Sequence, residues 1–298
     1  FFASFQGNVI DGANANRWLN IPILDISFQP STLASIFLLI YLSNFLSKEK
    51  NKNLSLTKTF LLMWLPIIVV VGLILPSNFS TALLIFIMST MIIFIAGYKL
   101  KHLTVLFFLF IFLISSFLLA VNKFPDIIPN RVDTWTNRIE NFVNNDIDDT
   151  SNYQINRAKA AIANGKIFGV GAGKSSMKYV LPQSTSDFIF SIIAEEYGII
   201  VSLIILLLYV VLLFRIIITS YRSVTKFGQL VSIAVGIPVV FQAFTNMAVA
   251  VQLIPVTGQP LPLVSAGGTS IWITFLAMGI LLSVSKNNLK YNTVAIDD

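Results

Sequence analysis

The sequence contains no cysteine and a single histidine. The first absence excludes structural disulfides, thiol nucleophiles, cysteine-bound zinc and iron–sulfur clusters. The second leaves little scope for imidazole chemistry. His102 lies among lysines at the flank of an apolar run, where it reads as an interface residue rather than a ligand or base. Charge is scarce too. Only 11% of the 298 residues are Asp, Glu, Lys or Arg, whereas 55% are hydrophobic and the mean hydropathy is +0.80. That balance excludes a water-soluble domain and defines a polytopic membrane protein. The net charge of +6 does not point to nucleic acid, because the basic residues cluster between apolar runs, where membrane topology accounts for them.

A spanning helix needs roughly 20 apolar residues. Seven stretches qualify, at about 31–47, 59–75, 79–98, 102–121, 187–214, 229–250 and 268–285. They predict an all-α polytopic fold, a single membrane domain over 1–298 with one large loop at about 122–186. Lys48, Lys50, Lys52 and Lys58 fill the first connection, Lys99 and Lys101 the third, Arg215, Arg222 and Lys226 the fifth, and Lys286 and Lys290 the tail. The alternate short connections, near 76–80 and 251–267, hold no Lys or Arg. This asymmetry puts the lysine-rich side and the C-terminus in the cytoplasm and the long loop outside. Residue 1 then falls outside. With Phe-Phe rather than Met at the start, the expectation is an odd number of spans upstream.

The long loop has two halves. Asp126, Asp133, Glu140, Asp146, Asp148 and Asp149 make the first acidic. No acid follows until Asp187, while Arg157, Lys159, Lys166, Lys174 and Lys178 make the second basic. A basic, glycine-containing surface at a membrane mouth suits an anionic substrate or lipid headgroup; a solvated loop with internal salt bridges is the alternative. Within it, "FGVGAGKSS" (168–176) superficially resembles a phosphate-binding P-loop. The pattern requires Gly where Phe168 stands, so nucleotide binding is rejected. Gly169, Gly171 and Gly173 would still let backbone N–H groups approach a phosphate, with Lys174 adding charge.

"LPQSTSDFIFSIIAEEYG" (181–198) opens an apolar run with three acids. Asp187 either caps the helix, sharing the task with Ser184, Thr185 or Ser186, or serves as a base at the membrane interface. In a continuous helix Glu195 and Glu196 would lie about 12–14 Å further on, at membrane depth, with Glu195 about 80° around from Asp187 and Glu196 nearly opposite it. Such acids are functional candidates, or structural contacts to a polar group on another helix. In "NANRWLN" (14–20), Trp18 is an interface anchor or a sugar-stacking platform and Arg17 a phosphate contact. "PVTGQPLPLVSAGGTS" (255–270) is irregular backbone of the kind tolerated at membrane depth only where it is buried or lines a cavity.

Four blocks, "NANRWLN" with "ISFQPSTLA", "YQINRAKAAIANGKIFGVGAGKS", "LPQSTSDFIFSIIAEEYG" and "PVTGQPLPLVSAGGTS", resemble the SEDS family (shape, elongation, division and sporulation) in order and over nearly the whole chain. The last block is more similar to the division branch than to the elongation branch. Ser186 stands where Thr is usual, Thr32 where Glu is, and Asn78 where Asp often is. The resemblance implies ten spans, of which the seven here are the last. It implies a peptidoglycan glycosyltransferase that polymerises lipid II into glycan strands at the outer face of the bacterial inner membrane, in septal wall synthesis, with inversion and loss of undecaprenyl diphosphate. The family's essential aspartate falls on Asp187, as general base. Arg17, Trp18, Gln154, Lys174, Lys178, Ser265, Gly267, Gly268 and Thr269 become substrate-binding candidates, and Glu195 and Glu196 structural polar residues. No tightly bound cofactor is implied, beyond a divalent cation, Mg or Mn, to assist the diphosphate. The implied partners are a class B penicillin-binding protein (a transpeptidase) and other division proteins. A lipid II flippase and a non-catalytic scaffold are the rival functions.

Overall fold

The computed structural model describes residues 19–21, 26–48, 56–98, 100–123, 135, 138, 140, 142–143 and 150–297. A short antiparallel ribbon, β1 (Leu19–Ile21) and β2 (Ile26–Phe28), pairs Leu19 with Phe28 and precedes the first helix. Eight helices follow among the described residues. They are α1 (Pro30–Lys48), α2 (Leu56–Thr59, a π turn at Phe60–Trp64, then Leu65–Ile74), α3 (Phe79–Ile95), α4 (Leu100–Lys123), α5 (Thr150–Gly165), α6 (Ile189–Tyr221), α7 (Lys226–Ala250) and α8 (Gly268–Asp297). All but α5 coincide with the seven predicted spans. Six are long and apolar enough to cross a bilayer, and α3 is a shorter apolar helix. The chain is a multi-pass membrane protein.

Local chemistry accounts for the helix details. Pro66 has no N–H to give to the Leu62 carbonyl one turn back. That carbonyl instead accepts the Tyr41 hydroxyl at 2.8 Å, and the Leu65 N–H reaches back to Phe60, which makes the π turn. Asn78 caps α3 by accepting the Thr81 N–H at 3.2 Å. Asn and Asp cap about equally well, so the departure from the usual Asp costs nothing here.

The chain divides into two compact units, and the division falls within α6, α7 and α8. Unit 1 comprises 1–132, 216–238 and 275–298. In it α1 packs on α2 and α3, and α3 on α4, around Leu42, Met63, Ile67, Ile85 and Ile92. Unit 2 comprises 133–215 and 239–274. Its core joins Ala158 of α5, Leu181, Phe188 and Ile192 near the start of α6, and Val249 of α7.

The fifth predicted span differs most from expectation. The helix begins at Ile189, so Asp187 precedes it, and it runs on to Tyr221. It is broken at Gly198, whose φ of 80° and ψ of −179° are non-helical. The stretch from Ile199 to Tyr221 rises about 35 Å, enough to cross the hydrocarbon core alone. Ile189–Tyr197 is therefore a separate half-helix, and the spacing and angles expected of one continuous helix from Asp187 to Glu196 do not apply.

Candidate active site

Phe188 anchors the site. It is 1% exposed in the unit 2 core, and its carbonyl accepts the first bonds of α6, from Ser191 at 3.0 Å and Ile192 at 3.4 Å. Phe188 thus occupies the cap position, and Asp187 stands one residue outside it. Among the described residues the Asp187 carboxylate accepts no hydrogen bond, so it is not spent on capping. The backbone around it is held instead. The carbonyls of Thr185, Ser186 and Asp187 accept from the Ala266 N–H at 3.0 Å, the Ser265 hydroxyl at 2.6 Å and the Asn246 amide at 2.6 Å. Gly258 edges the carboxylate: a Cβ there would sit 3.5 Å from Oδ2.

The partner segment, 251–267, has no regular structure, and helix side chains satisfy its carbonyls as buried backbone requires. Asn246 also donates to Gln259 O at 2.8 Å, Gln242 to Pro260 O at 3.0 Å, Arg138 to Val256 O at 3.0 Å, and Tyr209 donates to Pro262 O. Gln242 lies eight residues before the end of α7, so the segment descends about 12 Å alongside that helix. The expected irregular stretch is present, and through Gly258 it forms one wall beside Asp187.

Burial pushes the Asp187 carboxyl up to about 6 from an ordinary 3.8, and the Arg138 guanidinium beside it pulls it partly back. A half-buried carboxyl poised near neutrality, with its own backbone immobilised, suits general-base work.

Glu195 is 1% exposed. Its carboxylate accepts from the Ser175 hydroxyl, the Ser176 hydroxyl at 2.9 Å, the Met177 N–H at 3.3 Å and the Asn164 amide at 3.4 Å. The structural contact left open by the sequence is therefore real, and it is made mainly to the basic loop. Asp187 lies outside the helix and the helix breaks at Gly198, so the depth read for Glu195 from one continuous helix no longer follows. Glu196, half-buried, contributes its backbone carbonyl, which accepts the Gly171 N–H at 3.0 Å. Replacing Glu195 by Ala strands these donors, at about 1–3 kcal/mol for each that stays buried. Trypsin should then cut at Lys174 and Lys178 at least several-fold faster, while Glu195→Gln should show a smaller effect.

The glycine loop differs from expectation at Gly169 and Gly171. The N–H groups of Gly169, Val170 and Gly171 bond to Gly165 O, Glu195 O and Glu196 O at 2.7, 2.9 and 3.0 Å. They are consumed by helix carbonyls and are not offered to a phosphate.

Of the sequence candidates, Asp187 and Ser265 are brought together. The Ser265 hydroxyl both accepts the Leu261 N–H at 2.7 Å and donates to Ser186, so its geometry positions backbone. Gly267 and Gly268 start α8, and Thr269 is buried behind them. Lys174 and Lys178 are exposed on the loop, and Gln154 is half-buried on α5. Arg17 and Trp18 lie outside the described residues. Arg138, Asn246 and Gly258 were not singled out. Polar Gln242 and Asn246 in the apolar run of α7 were the available signal.

A family model described as "Cell cycle protein", FtsW/RodA/SpoVE, matches residues 2–290. The chain is 33% identical over 285 residues to the "Probable peptidoglycan glycosyltransferase FtsW" of Enterococcus hirae, covering 93% of this chain and 69% of that protein. It is 32% identical to the "Stage V sporulation protein E" of Bacillus subtilis, covering 94% and 73%. A solved chain from a study of the "structural coordination of polymerization and crosslinking by a peptidoglycan synthase complex" shares the fold, with a TM-score of 0.69 at 24% identity, over 96% of this chain and 77% of that one.

Proposed function

The chain belongs to the FtsW/RodA/SpoVE family, and from that premise we infer that it is a peptidoglycan glycosyltransferase acting in septal wall synthesis. The observation that carries the chemical reading is Asp187: a carboxyl raised to about 6, beside Arg138, on backbone fixed from three successive carbonyls. Lipid II is the proposed donor, at the outer face of the cytoplasmic membrane, with the C-terminus in the cytoplasm. The Asp187 carboxylate removes the proton from an acceptor sugar hydroxyl. The oxygen attacks the donor's anomeric carbon from the face opposite the leaving group. The new glycosidic bond forms as the bond to undecaprenyl diphosphate breaks, and the electron pair leaves with the diphosphate.

The leaving group needs positive charge. Lys174, Lys178 and Arg17 are the proposed sources. Among the described residues no three His, Asp or Glu side chains gather as a metal site. Magnesium is usually held by one or two carboxylates together with substrate phosphates, so a Mg or Mn ion carried by the donor's diphosphate is proposed to assist its departure. The proposed partner is a class B penicillin-binding protein, as a crosslinking enzyme must work on the strands made here.

The test is to give lipid II to the full-length protein in complex with that transpeptidase and to separate products by length. Glycan strands are expected. A folded complex that makes none, but moves lipid II across vesicles, would replace transfer by transport.

The pH dependence carries a sharper prediction. The base must be deprotonated, so kcat/KM should fall as pH drops through about 6. Arg138→Leu removes the charge that lowers the Asp187 value, so this acid limb should move to higher pH, and Arg138→Lys should restore it in part. A limb that stays put in Arg138→Leu would separate Asp187 from the titrating group.

A further inference from the structure

Beside Lys174 and Lys178, which the proposed reaction draws on, the basic loop carries an apolar surface that the reaction does not use. Phe168 is 81% exposed, Ile167 55% and Val170 41%. They are held out by a fixed backbone, because Gly169 N–H bonds to Gly165 O, Val170 N–H to Glu195 O, and Ile199 N–H to Lys166 O at 3.0 Å. The last of these bonds sets the level. It places Lys166 and Ile167 against Ile199, the residue at which α6 starts its run across the membrane. From that residue on, α6 exposes Ile199, Ile200, Leu203 and Ile204, an apolar face of the kind that meets lipid or another membrane helix. Ile167, Phe168 and Val170 therefore sit at the edge of the same apolar belt. The charge around them is of one sign. Lys166, Lys174 and Lys178 lie in a stretch with no acid from 150 to 186, and none of the three makes an ion pair among the described residues.

We propose that the 166–178 loop is a membrane-interface anchor: Ile167, Phe168 and Val170 enter the acyl boundary of the leaflet beside Asp187, and the three lysines face the anionic headgroup layer, of which the diphosphate of a lipid-linked donor is a part. Aromatic and aliphatic residues flanked by lysines are the composition that partitions to this depth. The clasp of the loop onto Glu195 and Ile199 transmits that anchoring to the half-helix next to Asp187. The inference needs only the membrane-spanning reading, not the transferase one, so the two can fail separately.

The absence of cysteine makes the test direct. In the full-length protein, with any cysteine outside this sequence replaced, a nitroxide is attached at Phe168→Cys, or at Ile167→Cys as a second site. The protein is placed in nanodiscs of phosphatidylcholine with phosphatidylglycerol. Collision with oxygen should exceed collision with a water-soluble nickel chelate, approaching the ratio found at Leu203→Cys on the apolar belt. Lys166→Gln combined with Lys174→Gln and Lys178→Gln should move the label toward water in these discs and much less in phosphatidylcholine alone. A nickel-dominated signal at both sites would overturn the proposal. So would a label that is shielded only when the transpeptidase is added, which would assign the surface to a protein contact.

Discussion

Asp187→Asn should lower glycan polymerisation by about 10²–10⁴-fold, the range that a positioned general base contributes. Asn keeps the shape and loses the proton acceptor. The scaffold should survive, because the bonds that hold this residue run to its backbone: Asn246 donates to the Asp187 carbonyl and Ser265 to that of Ser186. Phe188 stays buried whichever side chain precedes it. Stability even has a defined sign. The folded carboxyl sits at about 6, above its ordinary 3.8. The native state therefore holds this proton more tightly, and the stability it lends below about 4 is lost as pH rises through 6. Asn lacks that loss, so the variant should melt no lower than wild type above pH 6. Asp187→Glu separates charge from position. It keeps a carboxylate but adds a methylene where Gly258 already approaches Oδ2, and it should recover little activity. Undiminished strand synthesis by Asp187→Asn, in a complex that still binds its transpeptidase, would remove the base from the mechanism and leave membership of the family untouched.

The helices were legible because a membrane helix announces itself as an apolar run, and all seven runs are helical. Interruptions within runs were not. The π turn at Phe60–Trp64 depends on Tyr41, 21 residues before Leu62, donating to a carbonyl that Pro66 leaves free. The break at Gly198 depends on one backbone dihedral in a sequence as apolar on one side as on the other. Missing it tied Glu195 to one continuous helix and hid its partners, Ser175 and Ser176 of the loop. Asp187 and the Pro/Gly segment could each be singled out, the first as an acid at the mouth of a span and the second as backbone unable to stay regular. Their union rests on bonds from Ser265 and Asn246 to main-chain carbonyls, and main-chain acceptors have no sequence signature. Arg138 was hidden for another reason: it lies in the acidic half of the loop, away from the lysines that drew attention. The glycines of 169–173 were read for the right property, close backbone approach, with the wrong object. The N–H groups of Gly169 and Gly171 reach carbonyls at two helix ends, Gly165 and Glu196, which attract donors for the same electrostatic reason that a phosphate does.

That docking leads to the other large effect: Gly198→Ala should undock the loop. The φ of 80° and ψ of −179° at Gly198 fall in a region essentially closed to residues with a Cβ, at about 1–3 kcal/mol. Space is absent as well. A Cβ at 198 would lie 2.2 Å from the Ile167 carbonyl oxygen and 2.6 Å from the Gly169 nitrogen. Both are backbone atoms, so no rotamer change relieves the overlap, and about 1–3 kcal/mol more follows. The fit is reciprocal. A Cβ on Gly169 would meet Glu196 O at 2.2 Å, and one on Gly165 would meet Ala194 O at 1.8 Å. Three glycines thus let two chain segments touch main chain to main chain. Gly173 supplies the control: its φ of 73° is equally left-handed, but nothing lies within 4 Å of its Cβ position. Gly173→Ala should therefore incur only the conformational part, about 1–2 kcal/mol. Tryptic cleavage at Lys174 should rise far more in Gly198→Ala than in Gly173→Ala. Strand synthesis should fall with it, since the half-helix that carries the loop begins two residues after Asp187. Equal effects from the two substitutions would mean that backbone strain alone, and not the close contact, holds the loop against the half-helix.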